Sequence, residues 1–178
     1  MIVDTHLHLW DLAVSDYGWL GPQHGGLYRS FTPDAAQTEL VASGVGSAVL
    51  VQAEDSITDT RYLLDVAGRH DWVHGVVGWV RLDAPDEAAR QLADLAGPAL
   101  RGIRHLVHDD PRDDFLDRPD VRKSLASVAR LAWSSRCRTP GRGTGRPSCP
   151  AGSVRCGRSA DTRTRWPRCR GCSAREPR

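Results

Sequence analysis

Between residues 2 and 131, short apolar runs alternate four times with segments of helical period, and beyond 131 neither pattern continues. The runs Ile2–His8, Ser47–Ala53, Val73–Leu82 and Leu100–Val107 read as buried strands. Between them, Thr32-Pro33 opens a helix, because Thr can cap and Pro suits the first turn, and Gly44 is a plausible stop. Thr58–Arg69 places Tyr62, Leu63 and Val66 at helical spacing. Asp83–Leu95 and Pro119–Leu131 complete the set, the last with Val121, Leu125, Val128 and Leu131 on one face. Trp10–Phe31 is a long connection rich in glycine and aromatic residues. Strands alternating with helices imply right-handed βαβ units and a parallel sheet. The third and fourth strands begin 27 residues apart, close to the ~31 per unit of a 250-residue (β/α)8 barrel. The expected class is α/β: about four βα units, the N-terminal half of a (β/α)8 TIM barrel.

Composition explains why the pattern stops. Residues 1–131 carry 12 basic and 20 acidic side chains, and 132–178 carry 12 arginines against Asp161 and Glu176. All seven histidines lie in the first part and all five cysteines in the second. Val154 is the only Val, Leu, Ile, Met or Phe in the last 47 residues. Such a segment cannot bury enough apolar area to offset the entropy of ordering its backbone. The expected organisation is therefore a partial barrel over 1–131 and a disordered, basic Arg/Gly/Pro/Cys-rich tail over 132–178. Arg outnumbers Lys 23 to 1 and the tail residues mostly have GC-rich codons, so a shifted reading frame near 131–134 would produce this tail. The nucleotide sequence there, read in all three frames, tests that origin.

Chemistry concentrates at the end of the first strand. His6 and His8 are one residue apart, and a strand repeats every two residues, so both imidazoles project from one face. Two neutral imidazoles make half of a divalent-metal site, and a parallel barrel puts its active site at that end of its strands. Packing or capping near a strand end is the alternative for such a pair.

The stretch Val-Asp-Thr-His-Leu-His-Leu-Trp-Asp, followed by Asp-Tyr-Gly-Trp-Leu, resembles the opening of the amidohydrolase-related TIM-barrel hydrolases, in particular their sugar-lactonase branch. Val-Leu-Val-Gln-Ala (49–53), Thr-Arg-Tyr-Leu-Leu (60–64), Gly-Val-Val-Gly-Trp-Val (75–80) and Leu-Arg-Gly-Ile-Arg-His (100–105) follow in the family's order, so the likeness runs from residue 2 to about 131. It implies that His6 and His8 bind a divalent metal, with zinc expected, although some relatives work without metal. It implies that Arg104 and His105 lie near the substrate pocket. A solvated arginine and a histidine satisfied by a carbonyl are the competing reading, and strict alternation aims the two at opposite sides of the sheet. Gln52 and Trp79 fall near strand ends, and His108, Asp109 and Asp110 read as solvated loop residues. No catalytic acid or base is assigned: the family's later histidine ligand and last-strand aspartate have no match after 131, and only Asp4 or His105 could improvise a third ligand.

The resulting expectation is a hydrolase that opens a sugar-acid lactone by metal-assisted attack of water, truncated in this form. An inactive half-barrel with self-association through exposed sheet edges, a metal-dependent decarboxylase of the same superfamily, and a nucleic-acid binder working through its basic tail are the alternatives. Cys169-x2-Cys172 lacks a second close pair for a zinc site, and the tail lacks the aromatic interleaving that favours nucleic acid. No signal-peptide pattern precedes the first strand, no run of about 18 apolar residues predicts a membrane span, and the cysteine-free part suits a reducing compartment, so the cytoplasm is expected.

Overall fold

The computed structural model describes residues 2–136. The tail motifs and residues 137–178 of the tail expected to be disordered lie outside the described residues, whereas the expected frame-shift point at 131–134 falls within them. Four strands, β1 (Ile2–Leu7), β2 (Val45–Val51), β3 (Val73–Gly78) and β4 (Leu100–Ile103), form one parallel sheet in chain order. Four helices, α1 (Pro33–Ala42), α2 (Ile57–Arg69), α3 (Pro85–Asp94) and α4 (Pro119–Arg136), alternate with the strands. Because spatial order equals chain order, every crossover turns the same way and lays its helix on the same face. A doubly wound sheet is thereby excluded.

Local sequence explains the boundaries. Thr32 caps α1, its Oγ1 accepting from Ala35 N, with Pro33 in the first turn. Gly44 takes φ +72, the left-handed geometry that ends a helix without a Cβ clash. Ser56 caps α2 through Asp59 N at 3.0 Å. The strands end sooner than the apolar runs. Arg104 N still donates to Gly78 O, but Leu106 N turns to the Asp55 carboxylate, so β4 stops at Ile103 rather than Val107. Likewise β3 ends at Gly78 rather than Leu82, where Thr60 takes Trp79 N. At the other end, α4 continues to Arg136, past the composition boundary.

Two apolar clusters lie between sheet and helices. Leu9, Ala48, Leu50 and Val76 pack with Leu40, Leu63, Val66 and Trp72. Val80, Leu82 and Leu100 pack with Ala88, Leu92, Leu95, Phe115 and Val121. Each fully buried leucine or phenylalanine here contributes about 1.5–3 kcal/mol. Close sheet-to-helix approach is set at Gly78, where a Cβ would run into Thr60 Cγ2. No helix among the described residues is long and apolar enough to cross a membrane.

Candidate functional site

The packing of β1 aims the histidine pair. Leu7 and Leu9 belong to the apolar cluster under the helices, so alternation turns His6 and His8 to the opposite face of the sheet. Their Nε2 atoms lie 3.1 Å apart, with the rings edge to face. His8 Nδ1 is 2.9 Å from Val51 O. A carbonyl only accepts, so Nδ1 carries the proton and Nε2 keeps a lone pair. His6 Nε2–H then donates to it. Burial lowers the His8 pKa, aided by the positive fields of His6 and Arg104 and opposed by the Val51 carbonyl.

That arrangement bears directly on a metal. Two ligands on a tetrahedral zinc, each at about 2.0–2.1 Å, sit ~3.3 Å apart. The observed 3.1 Å matches that edge, and a ligand histidine whose other nitrogen donates to a backbone carbonyl is the usual supporting contact. The residues present fit two positions of such a site. Neither improvised third ligand is assembled. Asp4 Oδ1 accepts from His6 N at 2.9 Å, His105 belongs to another cluster, and no group of three or more metal-ligating side chains occurs among the described residues.

Arg104 joins the histidines and His105 does not. Ile103 packs into the cluster under the helices, so Arg104 points to the histidine face, where Nη1 reaches Gln52 O at 3.4 Å. His8 and Arg104 thus hold successive carbonyls at the end of β2. His105 turns the other way and stacks on Phe115, ring centroids 4.0 Å apart. Its Nε2 donates to Asp110 at 3.0 Å, and Nδ1 faces Asp55 at 3.1 Å and the Trp79 indole N–H at 3.2 Å. Arg112 closes this cluster by bridging Asp110 and Asp83.

Asp110 corrects the reading of the β4–α4 loop as solvated. Its carboxylate is only 4 % exposed, and the Arg112 guanidinium holds its pKa well below the usual carboxylate range. His108 and Asp109 are exposed as expected. Sequence reasoning also missed Asp55, which receives Leu106 N and Gln52 Nε2. An acid four residues beyond a buried strand was the available signal.

A third set of contacts folds the Trp10–Phe31 connection against β2's end. Tyr17 is fully buried and its hydroxyl donates to Asp59 Oδ1 at 3.0 Å, while Glu54 accepts from Ser15 Oγ and Gly18 N. Asp59 Oδ2 accepts from Ala53 N. Burial pushes the Asp59 pKa up to about 6 in spite of these donors.

This strand-end histidine pair in a singly wound parallel sheet coincides with a family match. Residues 3–140 match the family model described as Amidohydrolase. The chain belongs to the amidohydrolase family. The match runs nine residues further than the likeness read from the sequence blocks. Relatives of the chain include an L-fucono-1,5-lactonase of Burkholderia ambifaria, 42% identical over 127 residues, which are 71% of the chain and 43% of the relative. An L-fucono-1,5-lactonase of Burkholderia multivorans is 34% identical over 125 residues, 70% of the chain and 42% of the relative. Among solved structures, an amidohydrolase from Burkholderia multivorans with bound Zn superposes with a TM-score of 0.65 at 34% identity, covering 71% of this chain and 44% of that one. The chain therefore spans less than half the length of these relatives.

Proposed function

We infer that this amidohydrolase chain carries the first-strand part of a hydrolase site that opens a sugar-acid lactone with water, using zinc held in part by His6 and His8. The observation that carries the reading is the pair of Nε2 atoms 3.1 Å apart, one of them oriented by a backbone carbonyl. Two relatives named L-fucono-1,5-lactonase and a neighbour crystallised with bound Zn support it. When bound, zinc supplies a Lewis acid for the lactone carbonyl and brings the pKa of a bound water near neutrality. His6 and His8 would hold it through Nε2, His6 then carrying its proton on Nδ1 instead, and Val51 O keeps the His8 tautomer that leaves this nitrogen free.

Arg104 presents a planar guanidinium and lies on the same face. It is suited to a hydroxyl or carboxylate of the sugar acid through charge-assisted hydrogen bonds. His105 we assign to positioning: its contacts with Asp55, Asp110 and Phe115 fix the end of β4 and hence the adjacent Arg104. No general base is assigned among the described residues.

A second reading, metal binding without turnover, is favoured by the ligand count. The described residues bring two ligands together, and no histidine follows His108 in the chain. One experiment separates the readings. The full chain is titrated with Co(II) and followed by its visible spectrum, then assayed for proton release from L-fucono-1,5-lactone with metal and with chelator. Metal-dependent lactone opening, lost together with the cobalt spectrum in His6→Ala, supports the hydrolase. A cobalt spectrum with no lactone opening supports the second reading, and a folded wild-type chain that takes up no cobalt sinks both.

A further inference from the structure

The described sheet has two open edges, and they match one another. Among the described residues β1 pairs only with β2, and β4 only with β3. Each edge presents a row of backbone N–H and C=O groups, which is a template for another strand. The His6 N–H is an exception, since Asp4 takes it. We propose that a second copy of this chain closes the sheet, β1 of each copy pairing in parallel with β4 of the other around a two-fold axis.

Closure follows from strand number and direction. Two copies supply eight parallel strands wound in one sense, the number at which a parallel sheet closes around a side-chain-filled interior. A two-fold makes both joins identical and leaves no edge over, so assembly stops at two. The alternative occupant within the chain, residues 137–178, has one bulky aliphatic, Val154, and its sequence lacks the apolar alternation of a strand.

Charge and apolar exposure favour the same join. β4 carries Arg101, exposed, while β1 carries Asp4. In the closed ring, α4 of one copy lies beside α1 of the other. Over 119–130, α4 carries Arg122, Lys123 and Arg130 against one acid, Asp120. α1 carries Asp34 and Glu39 and no basic residue. Opposite potentials on facing surfaces select partner and register. Apolar side chains stand exposed at both flanks: Ile2 on β1 and Val41 on α1, 63% and 69%, and Leu125 on α4, 38%. The inner sides of these end elements are already engaged, α1 on β2 and α4 on α3 and β4.

The full chain is tested by sedimentation velocity and by hydrogen exchange at two concentrations. The expected species is a dimer of twice 19.5 kDa, with no larger form. Amides of 2–7 and 100–103 gain protection with concentration and those of α2 do not. Arg101→Glu on β4 and, independently, Glu39→Lys on α1 each raise the dimer dissociation constant at least tenfold while far-UV circular dichroism is retained. Using two variants on different elements keeps the test valid if one fails to fold. A folded monomer at every concentration, open-ended oligomers, or a dimer indifferent to both substitutions and protected only in 137–178 overturns the proposal.

Discussion

Replacing Asp59 by Asn isolates a buried charge that neutral pH forces on this fold. Asp59 is fully buried in the first turn of α2, between the Tyr17 hydroxyl and the Ala53 N–H. Desolvation outweighs these donors and raises its pKa from 3.8 to about 6. An acid whose folded pKa is raised contributes stability that is fully present below the unfolded value. That contribution is lost as pH rises through the folded value. The rise from 3.8 to about 6 corresponds to about 3 kcal/mol lost, mostly between about pH 4 and pH 6. Asn cannot ionise and so escapes this loss. Its amide has one acceptor oxygen where the carboxylate has two, so it cannot accept from both the Tyr17 hydroxyl and Ala53 N, which costs about 1–3 kcal/mol at every pH. Urea unfolding of both proteins at steps from pH 4.5 to 7.5 gives the wild-type-minus-variant difference, in which the other carboxylates, including nearby Glu54, cancel. Wild type is expected to lead most at the acid end, with its advantage shrinking by about 2 kcal/mol towards neutrality. A difference that is flat, or that grows with pH, refutes the claim that burial dominates at Asp59.

Three further outcomes follow from packing and charge. Phe115→Ala removes a ring that is 1% exposed and stacked on His105, and urea unfolding should show a loss of about 3–5 kcal/mol. Gly78→Ala should cost about 1–3 kcal/mol by overpacking against Thr60. The double variant with Thr60→Ser, which deletes the clashing methyl and keeps the hydroxyl bonded to Trp79 N, should recover most of that loss in a double-mutant cycle. Arg112→Lys replaces a fork that spans Asp110 and Asp83 by a point charge. It should expose residues 104–118 to limited proteolysis, and unchanged cleavage there would show that the bridge does not hold the loop.

Much of the fold was legible because it rests on local periodicity. All four strands and four helices overlap the segments that apolar spacing marks, and the Thr32 cap and the Gly44 stop follow from single residues, whereas the Ser56 cap of α2 and the start of α3 at Pro85, without a side-chain cap, were not read from the sequence. Strand ends were overestimated because side chains distant in sequence, Asp55 and Thr60, intercept the backbone amides that would extend the ladder. The site divides the same way. Alternation along one strand suffices to put His6 and His8 on one face, and it also separates Arg104 from His105. That Arg104 is the one facing the histidines depended on which of the two strand faces the helices would cover.

By itself, then, the sequence determined the class, the order of elements and a paired imidazole motif, since each depends on residues within a few positions of one another. Only the tertiary structure decided that the two Nε2 atoms converge to 3.1 Å with Val51 setting the tautomer. It alone turned Asp110 from a loop acid into a buried partner of His105 and Arg112, and placed Tyr17 on Asp59. Those contacts join residues up to 43 positions apart. Their geometry is set by how strands and helices pack, which no local pattern encodes.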